Sequence, residues 1–71
     1  MQGSIDDIEA LMNWLDRIGV LNSANKDLLE DAIFALKSGN EYRAEDRLKT
    51  AARNYENDGE RDAAAACERL L

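Results

Sequence analysis

Ile5, Ile8, Leu11, Met12, Leu15 and Ile18 recur at helical spacing along the first part of the chain, which predicts an amphipathic helix with one apolar stripe. Ser4 stands before it as a cap, and Asp7 occupies the reciprocal position of a capping box, where the helix dipole also favours an acid. Gly19 ends this helix, and Val20 and Leu21 are placed for the apolar contact that follows a left-handed cap. A second helix begins near Asn22 or Ser23 and runs to Lys37, with a cation in its last turn and Gly39 beyond. Its stripe is Leu29, Ile33 and Leu36.

The third stripe, Ala44, Leu48, Ala51, Ala52 and Tyr55, keeps an i, i+4, i+7, i+8, i+11 series. Ser38 and Glu41 of "SGNE" match the capping-box spacing in front of it. In "YENDGERDA", Gly59 is a breaker and Asn57 or Asp58 a cap, so a fourth helix is expected from about Glu60 to Leu70. The alternative is one bent helix from Glu41 onward, because a lone glycine costs only about 1 kcal/mol inside a helix. Proline is absent, and Gly19, Gly39 and Gly59 fall twenty residues apart. Short turns at that spacing join antiparallel neighbours. The expected fold is all-α: a compact bundle of four short antiparallel helices in a single domain spanning residues 1–71.

Tyr55, Gly59 and Ala64 resemble the inter-helix grammar of tetratricopeptide-type hairpins, and this resemblance implies a helix hairpin in the second half. It covers less than half of the chain. The aromatic and leucine positions that open that repeat are missing, as is its terminal proline, and the period here is twenty rather than about thirty-four.

Net charge is -6, and it is unevenly spread. Residues 1 to 36 hold seven acids (Asp6, Asp7, Glu9, Asp16, Asp27, Glu30, Asp31) against Arg17 and Lys26, giving -5, whereas residues 37 to 71 hold eight acids against seven bases, giving -1. An acidic chain repels phosphate backbones and anionic lipid surfaces, so direct nucleic-acid or membrane contact is not expected and a basic partner is the natural complement. The single cysteine, Cys67, makes no intramolecular disulfide and fits a reducing, cytoplasmic setting. Neither a leader pattern nor an apolar run of about 20 residues occurs.

Catalytic chemistry finds little support. Histidine is absent, which removes the commonest general base and metal ligand. Each glycine stands alone, so no phosphate-cradling loop forms, and Cys67 lies on an apolar helix side where a thiol packs as a hydrophobe. The carboxylate clusters lack calcium-loop spacing, so they read as solvated helix faces. The expectation is a non-enzymatic protein without cofactor or metal. Arg43, Arg47, Lys49 and Arg53 are interleaved with Glu45 and Asp46, which favours ion pairing with acids of other helices over a nucleic-acid face.

Phe34 is the residue that breaks pattern. At about 100° per residue it lies about 140° from Leu29, so Asp27, Glu30, Asp31 and Phe34 form their own i, i+3, i+4, i+7 stripe. Trp14 sits at the edge of the first stripe, near Asp7. Both rings either widen the core or anchor an interface, where aromatics dominate binding and a rim of acids steers a basic partner. The expected partner-binding set is Asp6, Asp7, Glu9, Trp14, Asp16, Asp27, Glu30, Asp31 and Phe34.

In composition and charge layout the chain resembles the small acidic proteins with which phages disarm host defence, including anti-CRISPR proteins that imitate nucleic acid. The resemblance implies an inhibitor or adaptor that blocks a basic, nucleic-acid-binding surface of another protein. The competing expectation is a structural module that homodimerises, burying Phe34, Trp14 and the alanine face of the fourth helix between subunits.

Overall fold

The computed structural model describes all residues from Met1 to Leu71, and it contains four helices and no strand. They are α1 (Ile5–Arg17), α2 (Ser23–Lys37), α3 (Glu41–Asn57) and α4 (Arg61–Glu68). The break between α3 and α4 is real, so the single bent helix does not form.

The helix ends follow local rules. Ser4 Oγ accepts from the Asp7 N–H at 3.2 Å while Asp7 Oδ2 accepts from the Ser4 N–H at 2.8 Å, the expected reciprocal box. Asn22 caps α2 through the Asn25 N–H. Three turns close in one way: Gly19, Gly39 and Gly59 have φ of 79°, 75° and 77°. The next residue in each case donates back across the turn, Val20 to Leu15, Asn40 to Ala35 and Glu60 to Tyr55. This is the six-to-one bond of a Schellman cap, and it needs a left-handed residue that glycine adopts without penalty.

Two expected caps are corrected. Asn40, not Ser38, caps α3, its side chain accepting from the Arg43 N–H at 3.1 Å. Ser38 closes α2 instead, its hydroxyl donating to the Phe34 carbonyl at 3.0 Å. The Schellman turn takes up Ser38 and Gly39, so the first residue free to cap is the one beyond it. For the same reason Asn57 and Asp58 end α3 rather than open α4. Glu60 stands at the N-cap of α4 without a side-chain cap bond, and the helix is two turns long, shorter than the expected span to Leu70.

The core holds fourteen residues and half of them are alanines: Ala32, Ala35, Ala44, Ala51, Ala52, Ala63 and Ala64. Ile8, Leu11 and Leu15 come from α1, Leu29 from α2, and Leu48 and Tyr55 from α3. Small side chains let α3 lie close to both neighbours, and α2–α3 and α3–α4 are the principal interfaces. On α2 the buried face is Asn25, Leu29, Ala32 and Ala35, with Ile33 and Leu36 only half-buried, so the face is rotated from the stripe read in the sequence. The Gln2 and Gly3 N–H groups donate to the Leu70 carbonyl at 3.0 and 2.8 Å, tying the entry of α1 to the exit of α4. The Met1 ammonium lies 2.9 Å from Glu41 Oε1.

Candidate protein-binding surface

The acidic residues of the first two helices divide into two groups. Asp7 is spent on the α1 cap, and its hydrogen bonds from Ser4 hold its carboxyl below the ordinary range. Asp31 leaves the expected stripe altogether. Arg43 reaches it from α3 with two bonds, Nε to Oδ2 at 2.9 Å and Nη2 to Oδ1 at 2.7 Å, and Arg47 Nε adds a third at 2.7 Å. The fork geometry suits a carboxylate, and the Arg43 bonds hold the Asp31 carboxyl below its usual value. Asp31 is therefore a clamp between α2 and α3, and Arg43 and Arg47 fill the ion-pairing role expected of them.

Asp6, Glu9, Asp16, Asp27 and Glu30 are exposed, and none of them pairs with a cation of the chain. On α1, Asp6, Glu9 and Asp16 share one flank of the apolar stripe, within an arc of about 80°. On α2, Asp27 and Glu30 precede Phe34 on the same side of the helix, by about two turns and one turn.

The two questioned aromatics part company. Trp14 is half-buried and packs against the core, so it widens the apolar face of α1. Phe34 is 59% exposed. It lines a shallow depression on α2 with Glu30, Ile33 and Lys37. Two other large apolar side chains are open to solvent, Ile18 at 47% and Tyr42 at 84%; Tyr42 stands on the outer face of α3, beside Glu45, Asp46 and Lys49.

A polar network in the bundle was not anticipated. Asn25 is 1% exposed, the one polar residue that is fully buried. Its Oδ1 accepts from Asn54 Nδ2 at 3.0 Å, and on α3 the next residue, Tyr55, is buried too, its hydroxyl donating to the Val20 carbonyl at 3.1 Å. Burial raises the Tyr55 phenol above its ordinary value, so it remains the donor. Every buried polar side-chain atom has a partner. The signal was present in the sequence: Asn25, Leu29, Ala32 and Leu36 share one helical phase.

Histidine, cysteine and carboxylate side chains form no group of three or more able to hold a metal ion. Cys67 is buried, and burial pushes its thiol up to about 11, the opposite of what a nucleophilic cysteine needs. No helix is long and apolar enough to cross a membrane.

Comparison with protein-family models, curated proteins and solved structures returns no match to this chain. The fold defines a four-helix all-α domain.

Proposed function

We propose that this chain is a non-enzymatic protein-binding inhibitor or adaptor, which docks the acidic surface of α1 and α2 against a basic, nucleic-acid-binding surface of another protein. One observation carries the reading: Phe34 is 59% exposed on α2, about one turn beyond the unpaired Glu30 and two beyond the unpaired Asp27 on the same side of the helix. An exposed apolar ring beside unpaired acids combines an anchor for affinity with a field that speeds encounter with cations, and Lys37 is the one base at the edge of its depression. Asp6, Glu9 and Asp16 add exposed, unpaired negative charge on α1. A DNA-mimicking mode of the anti-CRISPR type is the particular form that the charge layout suggests, with acids sparser than the phosphates of a duplex, which bring one charge per ~1.7 Å.

The test is affinity capture with the wild-type chain, with Phe34→Ala, and with a variant reversing Asp6, Glu9, Asp16, Asp27 and Glu30 to lysine. Asp31 is left in place because its reversal would break the clamp to Arg43 and Arg47. A partner retained at low salt and released at high salt, whose own binding to DNA or RNA falls when the chain is added, is expected. Retention by the charge-reversed variant equal to that of wild type would refute the acidic surface.

The exposed Phe34 favours a second reading, a module that homodimerises. On α4, Ala63, Ala64 and Cys67 are buried within the chain, leaving Ala65 exposed and Ala66 half-buried, and Trp14 is half-buried against its own core. Of the three features expected between subunits, Phe34 is the most exposed.

A further inference from the structure

The four residues around the α2 depression are Glu30, Ile33, Phe34 and Lys37. Their order along the helix is an acid, two apolar residues and a base, and it reads as its own complement when reversed. Glu30 and Lys37 sit equally far on either side of the midpoint between Ile33 and Phe34, about 5 Å along the axis in each direction. They also share an azimuth to within about 20°, with Ile33 and Phe34 about 50° to either side.

We infer that α2 pairs with α2 of a second copy of this chain, antiparallel, about a two-fold axis through that midpoint. A two-fold perpendicular to both helices brings Phe34 against the partner subunit's Phe34, and Ile33 against the partner subunit's Ile33. It places Glu30 opposite Lys37 of the partner subunit, and Lys37 opposite the partner's Glu30. Such an interface is isologous, so the Glu30–Lys37 pair occurs twice while each apolar residue meets its own copy. The apolar centre is two rings and two isoleucines, stacked as aromatic pairs prefer, and the rim is two opposite-charge pairs.

Area and net charge set the strength. One exposed helix face buries less than the roughly 1,200 Å² of a standard interface, and -6 on each chain opposes approach. The dimer is thus a weak one that forms at high protein concentration. The inference develops the second reading above and does not need the acidic docking of α1. Because Phe34 and Glu30 belong to both surfaces, self-pairing and partner docking through α2 exclude one another.

Sedimentation equilibrium from about 1 μM to about 1 mM tests it, across the range of weak association. Wild type is expected to self-associate, and E30K and K37E each to weaken that association about tenfold or more, because each places like charges opposite one another twice. Mixing E30K with K37E restores both attractive pairs and should yield a heterodimer, and E30K/K37E should recover the homodimer. Circular dichroism confirms folding, which the exposure of both side chains protects. A wild-type chain monomeric at the upper concentration, or a mixture that stays monomeric, overturns the inference. The acidic reading is judged separately by capture with α1 acids reversed alone.

Discussion

Arg43 holds Asp31 through two parallel hydrogen bonds, at 2.9 and 2.7 Å, across the α2–α3 interface. The Asp31 carboxyl is held below its unfolded value by Arg43, opposed by burial and assisted by Arg47. A group whose folded value is depressed contributes stability that is present above the unfolded carboxylate range, near pH 3.9, and is lost as pH falls through the folded value. Asp7 acts in the same direction through the Ser4 cap. The urea midpoint should therefore fall between neutral pH and about pH 3, and Asp31→Asn should lower it at neutral pH while shrinking that fall. An acid dependence identical in the variant would place its origin elsewhere.

Tyr55 and Asn25 should show the cost of an orphaned partner. Tyr55→Phe keeps the buried ring but leaves the Val20 carbonyl without its donor, a loss of about 1–3 kcal/mol. A double-mutant cycle between Asn25→Ala and Asn54→Ala should give a coupling of roughly 1 kcal/mol in urea unfolding. Additive effects would mean that the 3.0 Å bond between them contributes nothing.

The three cap glycines should be equivalent. A Cβ at Gly19, Gly39 or Gly59 would meet nothing within 4 Å, so the penalty of alanine is that of the left-handed backbone alone, about 1–2 kcal/mol at each site. Asparagine should be milder. Gly3→Ala differs in kind, because its Cβ would fall 2.8 Å from Leu70 Cβ and push apart the α1 entry and the α4 exit. Chemical synthesis with D-alanine at Gly39 should recover the wild-type melting temperature, while L-alanine should not.

Phe34→Ala and Trp14→Ala should diverge. Removing the exposed ring of Phe34 is expected to leave the fold within about 0.5 kcal/mol of wild type, yet weaken a partner complex by ~2 kcal/mol or more. Removing Trp14, half-buried on the core, should lower stability by about 2 kcal/mol or more. Parallel thermal melts and titration calorimetry separate the two; a Phe34→Ala chain that unfolds early with intact affinity would assign that ring to the core.

Cys67 should behave as a buried hydrophobe. With its thiol pushed up to about 11 and no exposure, alkylation of the native chain at mildly alkaline pH should be at least about a hundredfold slower than in denaturant, since it needs local or global opening. Equal rates would place the thiol at the surface.

Local information carried the helices. Ser4 with Asp7, Asn22 ahead of α2, and the three evenly spaced glycines are signals read within a few residues, because caps and left-handed turns depend on neighbouring backbone alone. The misplaced α3 cap shows the limit of even that reading: Ser38 and Glu41 had the spacing of a capping box, but the bond from Asn40 back to Ala35 had already claimed Ser38 for the end of α2.

What the sequence determined by itself was four amphipathic segments, where three of them end, and an excess of negative charge over the first two. Tertiary structure alone decided that Asp31 is drawn to Arg43, that Asn54 is the partner of Asn25, and that Trp14 is half-buried while Phe34 is exposed. Those outcomes depend on the angle at which each helix meets its neighbour. The buried alanines of α2, α3 and α4 take part in that packing, a relation between residues distant in the chain that no periodicity within one helix contains.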